Sequence, residues 1–174
     1  GTDLGAGTAS APFSGALVNL DPAKKYFFCA IAENSAGKAF GEVLSFNTGV
    51  APPDVVTLDA ENVGSGATIR GEGTPNGSQA TGWFRLGESD PGTCDDGFGV
   101  RVPETGGADL GAGAVTKSFQ QILDKDVNKL QPAMTYYYCA AASNSAGATF
   151  GEVLSFTTDA APPRRRIASS TRPR

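Results

Sequence analysis

Between Thr135 and Ser143 the chain alternates, with Tyr136, Tyr138, Ala140 and Ala142 on one face and Tyr137, Cys139 and Ala141 on the other. A period of two predicts a β-strand. Comparable short apolar runs recur, cut by Gly, Pro, Asn and Asp. From residue 54 onward they predict strands at Val55–Asn62, Ala67–Gly73, Thr81–Leu86, Val115–Ile122, Thr135–Ser143 and Phe150–Thr158. Thr74-Pro75-Asn76-Gly77 and Asn144-Ser145-Ala146-Gly147 read as turns, the Asn-Gly pair tolerating positive φ. A long Gly/Asp/Pro-rich excursion runs from Glu88 to about Gly113. Gln120–Val127, which also suits a helical turn, reads as an irregular insertion. Several short strands with regular turn signals predict an all-β, antiparallel sandwich.

The pattern repeats itself. Residues 20–53 and 130–163 are identical at 22 of 34 positions with an offset of 110. Upstream, Asp3-Leu4-Gly5-Ala6-Gly7 matches Asp109-Leu110-Gly111-Ala112-Gly113 at offset 106. Residues 1–53 therefore read as the C-terminal part of a first copy, residues 54–163 as a complete second copy, and residues 164–174 as a basic tail. Ala51-Pro52-Pro53 and Ala161-Pro162-Pro163 mark equivalent ends, where paired prolines stop strand pairing and stiffen the junction.

Composition bounds the function classes. The chain has 174 residues, 40% of them hydrophobic, enough for a core, while Gly and Pro make up about a fifth. The net charge of −4 is a sum of unlike parts: residues 1–163 carry 9 basic and 18 acidic side chains, residues 164–174 five arginines and no acid. An acidic body argues against binding of a nucleic-acid backbone by the fold itself. The tail Arg164–Arg174 is a solvated terminus or linker, or else a contact for an anionic partner such as lipid A, acidic polysaccharide or nucleic acid. No stretch has the length of a membrane span. A chain that opens on Gly1 without Met is expected to be a processed or excised piece.

Leu130-x-Pro132-x-x-x-Tyr136, the Ala142-x-Asn144-x-x-Gly147 hairpin, Ser155-Phe156-Thr157-Thr158 and Thr81-Gly82-Trp83-Phe84-Arg85-Leu86-Gly87 together resemble the fibronectin type III family, above all its repeats in bacterial secreted and surface proteins. Leu20, Pro22, Tyr26, Asn34, Gly37 and Ser45-Phe46 repeat the pattern. The resemblance implies an immunoglobulin-like sandwich with a tyrosine corner at Tyr136 and Tyr26, and a core place for Trp83. It also implies that the third and sixth strands are neighbours, which brings Cys94 of the excursion towards Cys139 on the outer face of the sixth strand. The expectation is a Cys94–Cys139 disulfide, the alternative being two unpaired thiols. A disulfide implies an oxidising place: periplasm, cell surface or medium. Cys29, the counterpart of Cys139, is then left for an upstream or intermolecular partner, or stays free. The first copy lacks its early strands, so Tyr26, Phe28, Phe40, Val43 and Phe46 would be open to solvent unless an upstream half or a neighbouring chain completes them.

Candidate chemistry is sparse. The chain has no histidine, which removes the commonest general base and zinc ligand. Glu88, Asp90, Asp95 and Asp96 cluster beside Gly92 and Gly97, offering oxygens to calcium, though their spacing fits no calcium loop and acids are common in turns. Asn76-Gly77-Ser78 is a formal glycosylation sequon in what reads better as a plain turn. Tyr137 is expected on an outer face. No catalytic residue and no cofactor emerge. The expected role is a non-catalytic extracellular structural module: a spacer, stalk or filament subunit with self-association or a neighbouring repeat as partner. The alternative is an adhesin or carbohydrate-binding accessory module recognising a polysaccharide or cell-surface ligand.

Overall fold

The structure, a computed structural model, describes residues 1–163, so the arginine-rich tail lies outside the described residues. Internal contacts divide the chain into Gly1–Gly49 and Val50–Arg174.

The first unit holds four short strands, β1 (Lys25–Phe28), β2 (Ile31–Asn34), β3 (Gly37–Phe40) and β4 (Leu44–Asn47). β1 pairs with β4, Tyr26 opposite Phe46, and β2 forms a hairpin with β3, Asn34 opposite Gly37. The Tyr26 and Phe46 rings stack with centroids 5.9 Å apart. No residue of this unit is fully buried.

The second unit carries β5 (Asp54–Glu61), β6 (Ala67–Thr74), β7 (Ala80–Gly87), β8 (Val100–Val102), β9 (Ala108–Gly111), β10 (Lys117–Leu123), β11 (Thr135–Asn144), β12 (Gly147–Phe150) and β13 (Leu154–Thr157). All pairings are antiparallel and fall into two sheets. One has the order β10-β6-β5. In the other, β11 and β7 run side by side in the centre, β12 and β13 share the free edge of β11, and β8 and β9 share the free edge of β7. Three strands facing a sheet of six strands that is four positions wide, with the chain crossing between sheets after β6, β9 and β10, make a fibronectin type III-like sandwich.

The period-two pattern decides which side chains face inward. On β11 the buried row is Tyr136, Tyr138, Ala140 and Ala142; on β7 it is Ala80, Phe84 and Leu86; on β10 it is Phe119 and Leu123; and Ile69 of β6 and Phe156 of β13 close the cluster. Two bonds tie the sheets together: Tyr138 Oη donates to Leu58 O at 2.8 Å, and Ala140 N donates to Thr57 Oγ1 at 3.0 Å. Burial pushes the Tyr138 hydroxyl up to about 12, with Asp59 adding to the shift.

Four sequence expectations need correction. Trp83 does not pack in the core: Ala80, Phe84 and Leu86 take the inner face of β7, so Trp83 and Arg85 point outward. The Glu88–Gly113 excursion, for which the sequence pattern predicts no strand, returns at residues 100–102 and 108–111 to pair with β7. The last strand is broken at Gly151–Val153, where Gly151 N donates to Ala140 O at 2.8 Å and the edge passes from β12 to β13. Finally, β10 runs on to Leu123, and the insertion is only the turn that follows, with Asp124 Oδ1 accepting the Asp126 and Val127 N–H groups.

Gly151 and its counterpart Gly41 offer a matched test. A Cβ on Gly151 would lie 2.5 Å from Thr57 Oγ1 and 2.8 Å from Thr57 N, whereas on Gly41 its nearest neighbour is Ala30 at an ordinary 3.5 Å. Gly151→Ala is expected to lower stability by about 1–3 kcal/mol in urea unfolding, and Gly41→Ala to change it by under about 0.5 kcal/mol. Tyr138→Phe gives a second test. The native phenol must stay protonated, so its contribution is intact below 10.0 and is lost as pH climbs from there towards 12. Tyr138→Phe is expected to lose about 1 kcal/mol at pH 8 and to show a shallower decline of the urea midpoint between pH 9 and 11.5 than the parent.

Candidate functional site

The feature that departs from a plain sandwich is the excursion Glu88–Gly113 lying over the outer face of the β7–β11 sheet. Cys94 is bonded to Cys139 of β11, their Cα atoms 6.3 Å apart. This covers Cys139 and Ala141, which are fully buried although they point away from the core. Register sets Arg101 of β8, Arg85 of β7 and Cys139 of β11 in one cross-strand row, with Trp83 opposite Ala141.

Two guanidinium groups organise the loop. Arg85 donates from Nε to Phe98 O at 2.6 Å and from Nη2 to Gly99 O at 3.3 Å, and Asp96 lies 3.6 Å away. Arg101 donates from Nη1 to Pro103 O at 2.9 Å and from Nη2 to Gly106 O, while its Cζ sits 4.7 Å from the centre of the Trp83 ring. Two adjacent cations would repel, and the backbone carbonyls of the loop offset this. Phe98 packs against Gly87, where a Cβ would come within 2.6 Å of the ring. Trp83, only 7% exposed, is thus clamped between sheet and loop. It offers no open aromatic platform for a sugar.

The four acids proposed for calcium are not brought together. Asp90 Oδ1 accepts the Gly92 N–H and Asp95 Oδ1 the Gly97 N–H, both at 2.8 Å, so each closes its own turn. Asp96 faces Arg85, and Glu88 is exposed and has no partner among the described residues. Among the described residues no three acidic, cysteine or histidine side chains converge. Asp109, outside this set, is held below its ordinary value first by the Gly111 N–H and then by the Gln79 amide.

The remaining singled-out residues are structural. Tyr136 Oη accepts the Gln131 N–H at 2.8 Å, with Leu130 buried beside it and Pro132 exposed; Tyr26 Oη accepts the Asp21 N–H at 2.9 Å, with Leu20 and Pro22 half-buried. Asn76 is buried at φ 57°, its Nδ2 donating to Pro52 O and Asp54 Oδ2, which leaves no room for a glycan. Asn144 Nδ2 donates to Ala51 O and Pro75 O at 2.7 and 2.8 Å, so two asparagines clamp the proline junction. Cys29 is an exposed free thiol. Sequence reasoning missed the two arginines, although Arg85 shares the outward register of Trp83 and could have been read from it.

No protein family matches the chain, and no curated protein sequence does. Among solved structures it is similar to the chicken CNTN1 FN1-FN3 domains, with 18% identity over 82% of this chain and a TM-score of 0.46. The match spans 45% of that chain. The fold stands on strand order and register alone.

The Cys94–Cys139 bond closes a loop of sequence separation 45. Loop-closure entropy then amounts to about 4 kcal/mol. Reduction, or Cys94→Ala with Cys139→Ala, is expected to cost about 2–4 kcal/mol in urea unfolding. A native thiol titration should count one reactive group, lost in Cys29→Ala.

Proposed function

We propose that this chain is a non-catalytic extracellular structural segment: a spacer, stalk or fibre piece built from sandwich repeats. The observation that carries the reading is the placement of the two ends of the complete sandwich. Asp159 N, just after β13, donates to Gly64 O beyond the far end of β5, while β5 begins at the opposite pole beside the clamped Pro52-Pro53. The two ends of this sandwich therefore lie at opposite poles, separated by about 27 Å, the length of its eight-residue first strand. The disulfide favours an oxidising compartment outside the cytosol. The polar groups of the excursion hold the loop in place, and Arg85, Arg101, Asp90, Asp95, Asp96 and Trp83 are engaged in these contacts rather than free for a ligand.

Single-molecule stretching of the full chain tests this. A load-bearing spacer unfolds the second unit in one event of measurable force, and reduction lengthens that event by roughly 150 Å as the 45-residue loop is released. Unfolding without a resolvable force event, together with selective glycan-array binding abolished by changes in residues 88–113, would transfer the role to a binding module.

A further inference from the structure

Residues 1–49 repeat the second half of the complete sandwich almost bond for bond. Gly5 N donates to Asp3 Oδ1 as Gly111 N does to Asp109 Oδ1. Thr48 Oγ1 donates to Asp21 O as Thr158 Oγ1 does to Gln131 O, and Gly41 N donates to Ala30 O as Gly151 N does to Ala140 O. What differs is burial. Leu4, Phe13 and Leu17 are 39%, 46% and 59% exposed, while Leu110, Phe119 and Leu123 at offset 106 are 1%, 7% and 1%. Phe28 is 46% exposed and its counterpart Tyr138 fully buried.

The missing partner is identifiable from the second copy. There Thr57 meets Ala140 and Gly151, Leu58 meets Tyr138, β6 pairs with β10, and Ala51 and Pro75 accept from Asn144. Every one of these contacts is made by residues 51–75, and the receiving positions recur in the first unit as Ala30, Gly41 and Asn34, with Phe28 keeping the ring of Tyr138 without its hydroxyl. Asn34 keeps the Ala36 N–H on Oδ1, but among the described residues its Nδ2 has no acceptor. Phe13 and Leu17 have the spacing of the β10 core pair yet form no strand, since β10 is paired by β6 alone.

We propose that the Tyr26–Phe28–Ala30–Phe46 face is a docking surface for a segment of the kind of residues 54–106, joined to the same polypeptide ahead of Gly1, with Cys29 bonded to a cysteine in its excursion. Two counts exclude the segment already present. Each chain holds two such receiving halves and one such segment, so no number of copies of this chain fills every face. Nor can the segment turn back within its own chain. The receiving half must end at the Gly64 pole of β5, about 27 Å from Asp54, and Gly49 to Asp54 reaches at most about 18 Å. The proposal is independent of whether the repeats act as spacers.

The test is a chain carrying a second copy of residues 54–106 joined ahead of Gly1, refolded with oxidised glutathione. Bond formation takes two protons and two electrons from the thiol pair, and the glutathione disulfide accepts them and leaves as two thiols. Mass spectrometry is expected to find Cys29 bonded to the added excursion cysteine, and hydrogen exchange to find residues 13–17 newly protected. Gly41→Ala, silent in the parent, is expected to become destabilising in the extended chain. Persistent Cys29 reactivity, with Gly41→Ala still silent and the unfolding of residues 50–163 unchanged, overturns the proposal. So does concentration-dependent dimerisation of the parent chain that buries Phe28, which would give the face to a second copy.

Discussion

Phe119 lies across two glycines. A Cβ on Gly71 would come within 3.1 Å of its ring and 2.7 Å of the Ala140 methyl, and one on Gly82 would meet three ring carbons at 3.1–3.2 Å. The two sheets of the complete repeat are therefore in contact through the smallest side chains available, with one aromatic ring filling the gap. At that separation Thr57 reaches the Ala140 N–H and the Tyr138 hydroxyl reaches Leu58 O. Ala140 belongs to the alternating row of β11, so the strand that sits at the centre of its own sheet also sets the spacing to the other. Close packing of this kind leaves no slack, because a single added methyl has nowhere to go without moving a strand. Gly151 beside Thr57 is under the same constraint from the edge.

The outer face of the sheet obeys a different logic. Nothing there is covered by the sandwich itself, and Cys139, Ala141 and Trp83 would be wet without the excursion. The loop is held by one covalent bond and two arginines whose donors find backbone carbonyls. Buried carbonyls in a loop with little regular structure need donors from somewhere, and a guanidinium supplies several in a fixed fork. The stacking of Arg101 on Trp83 closes the arrangement, since the ring face favours a cation and the ring shields it from water. Asp90 and Asp95 of the loop serve their own turns, and Asp96 pairs with Arg85.

Much of this was readable as sequence, and the failures have physical causes. The long strands announce themselves by alternation, and the tyrosine corner by Leu-x-Pro-x-x-x-Tyr. The face of β7 was misjudged because both of its registers contain large apolar residues: Trp83 on one, Phe84 and Leu86 on the other. Arg85 was the tie-breaker, since an arginine cannot share the core face. β8 and β9 span three and four residues within a Gly/Asp/Pro-rich stretch, too short for any period to register, and they exist because β7 offers them an edge. The calcium reading failed because aspartate two residues before glycine is equally the signature of a turn that closes on its own backbone.

Residues 1–49 separate two contributions that are usually entangled. They keep the local hydrogen bonds of residues 107–159, the stacked Tyr26–Phe46 pair and the positive φ of Gly5 and Gly37, yet bury almost nothing. A hydrogen bond adds only about 1 kcal/mol net, whereas burying a leucine or phenylalanine adds roughly 1.5–3 kcal/mol. Leu4, Phe13, Leu17 and Phe28 remain 39–59% exposed, so completing their burial would add about 3–6 kcal/mol that the corner and turn bonds do not supply. The bonds specify where each side chain must stand; they do not provide the reason for the chain to stay there. Phe13 and Leu17 make the point most directly, having the spacing of a strand and no ladder to join. In this repeat the second half encodes the geometry of the sandwich, and the first half supplies the burial that makes the geometry stable.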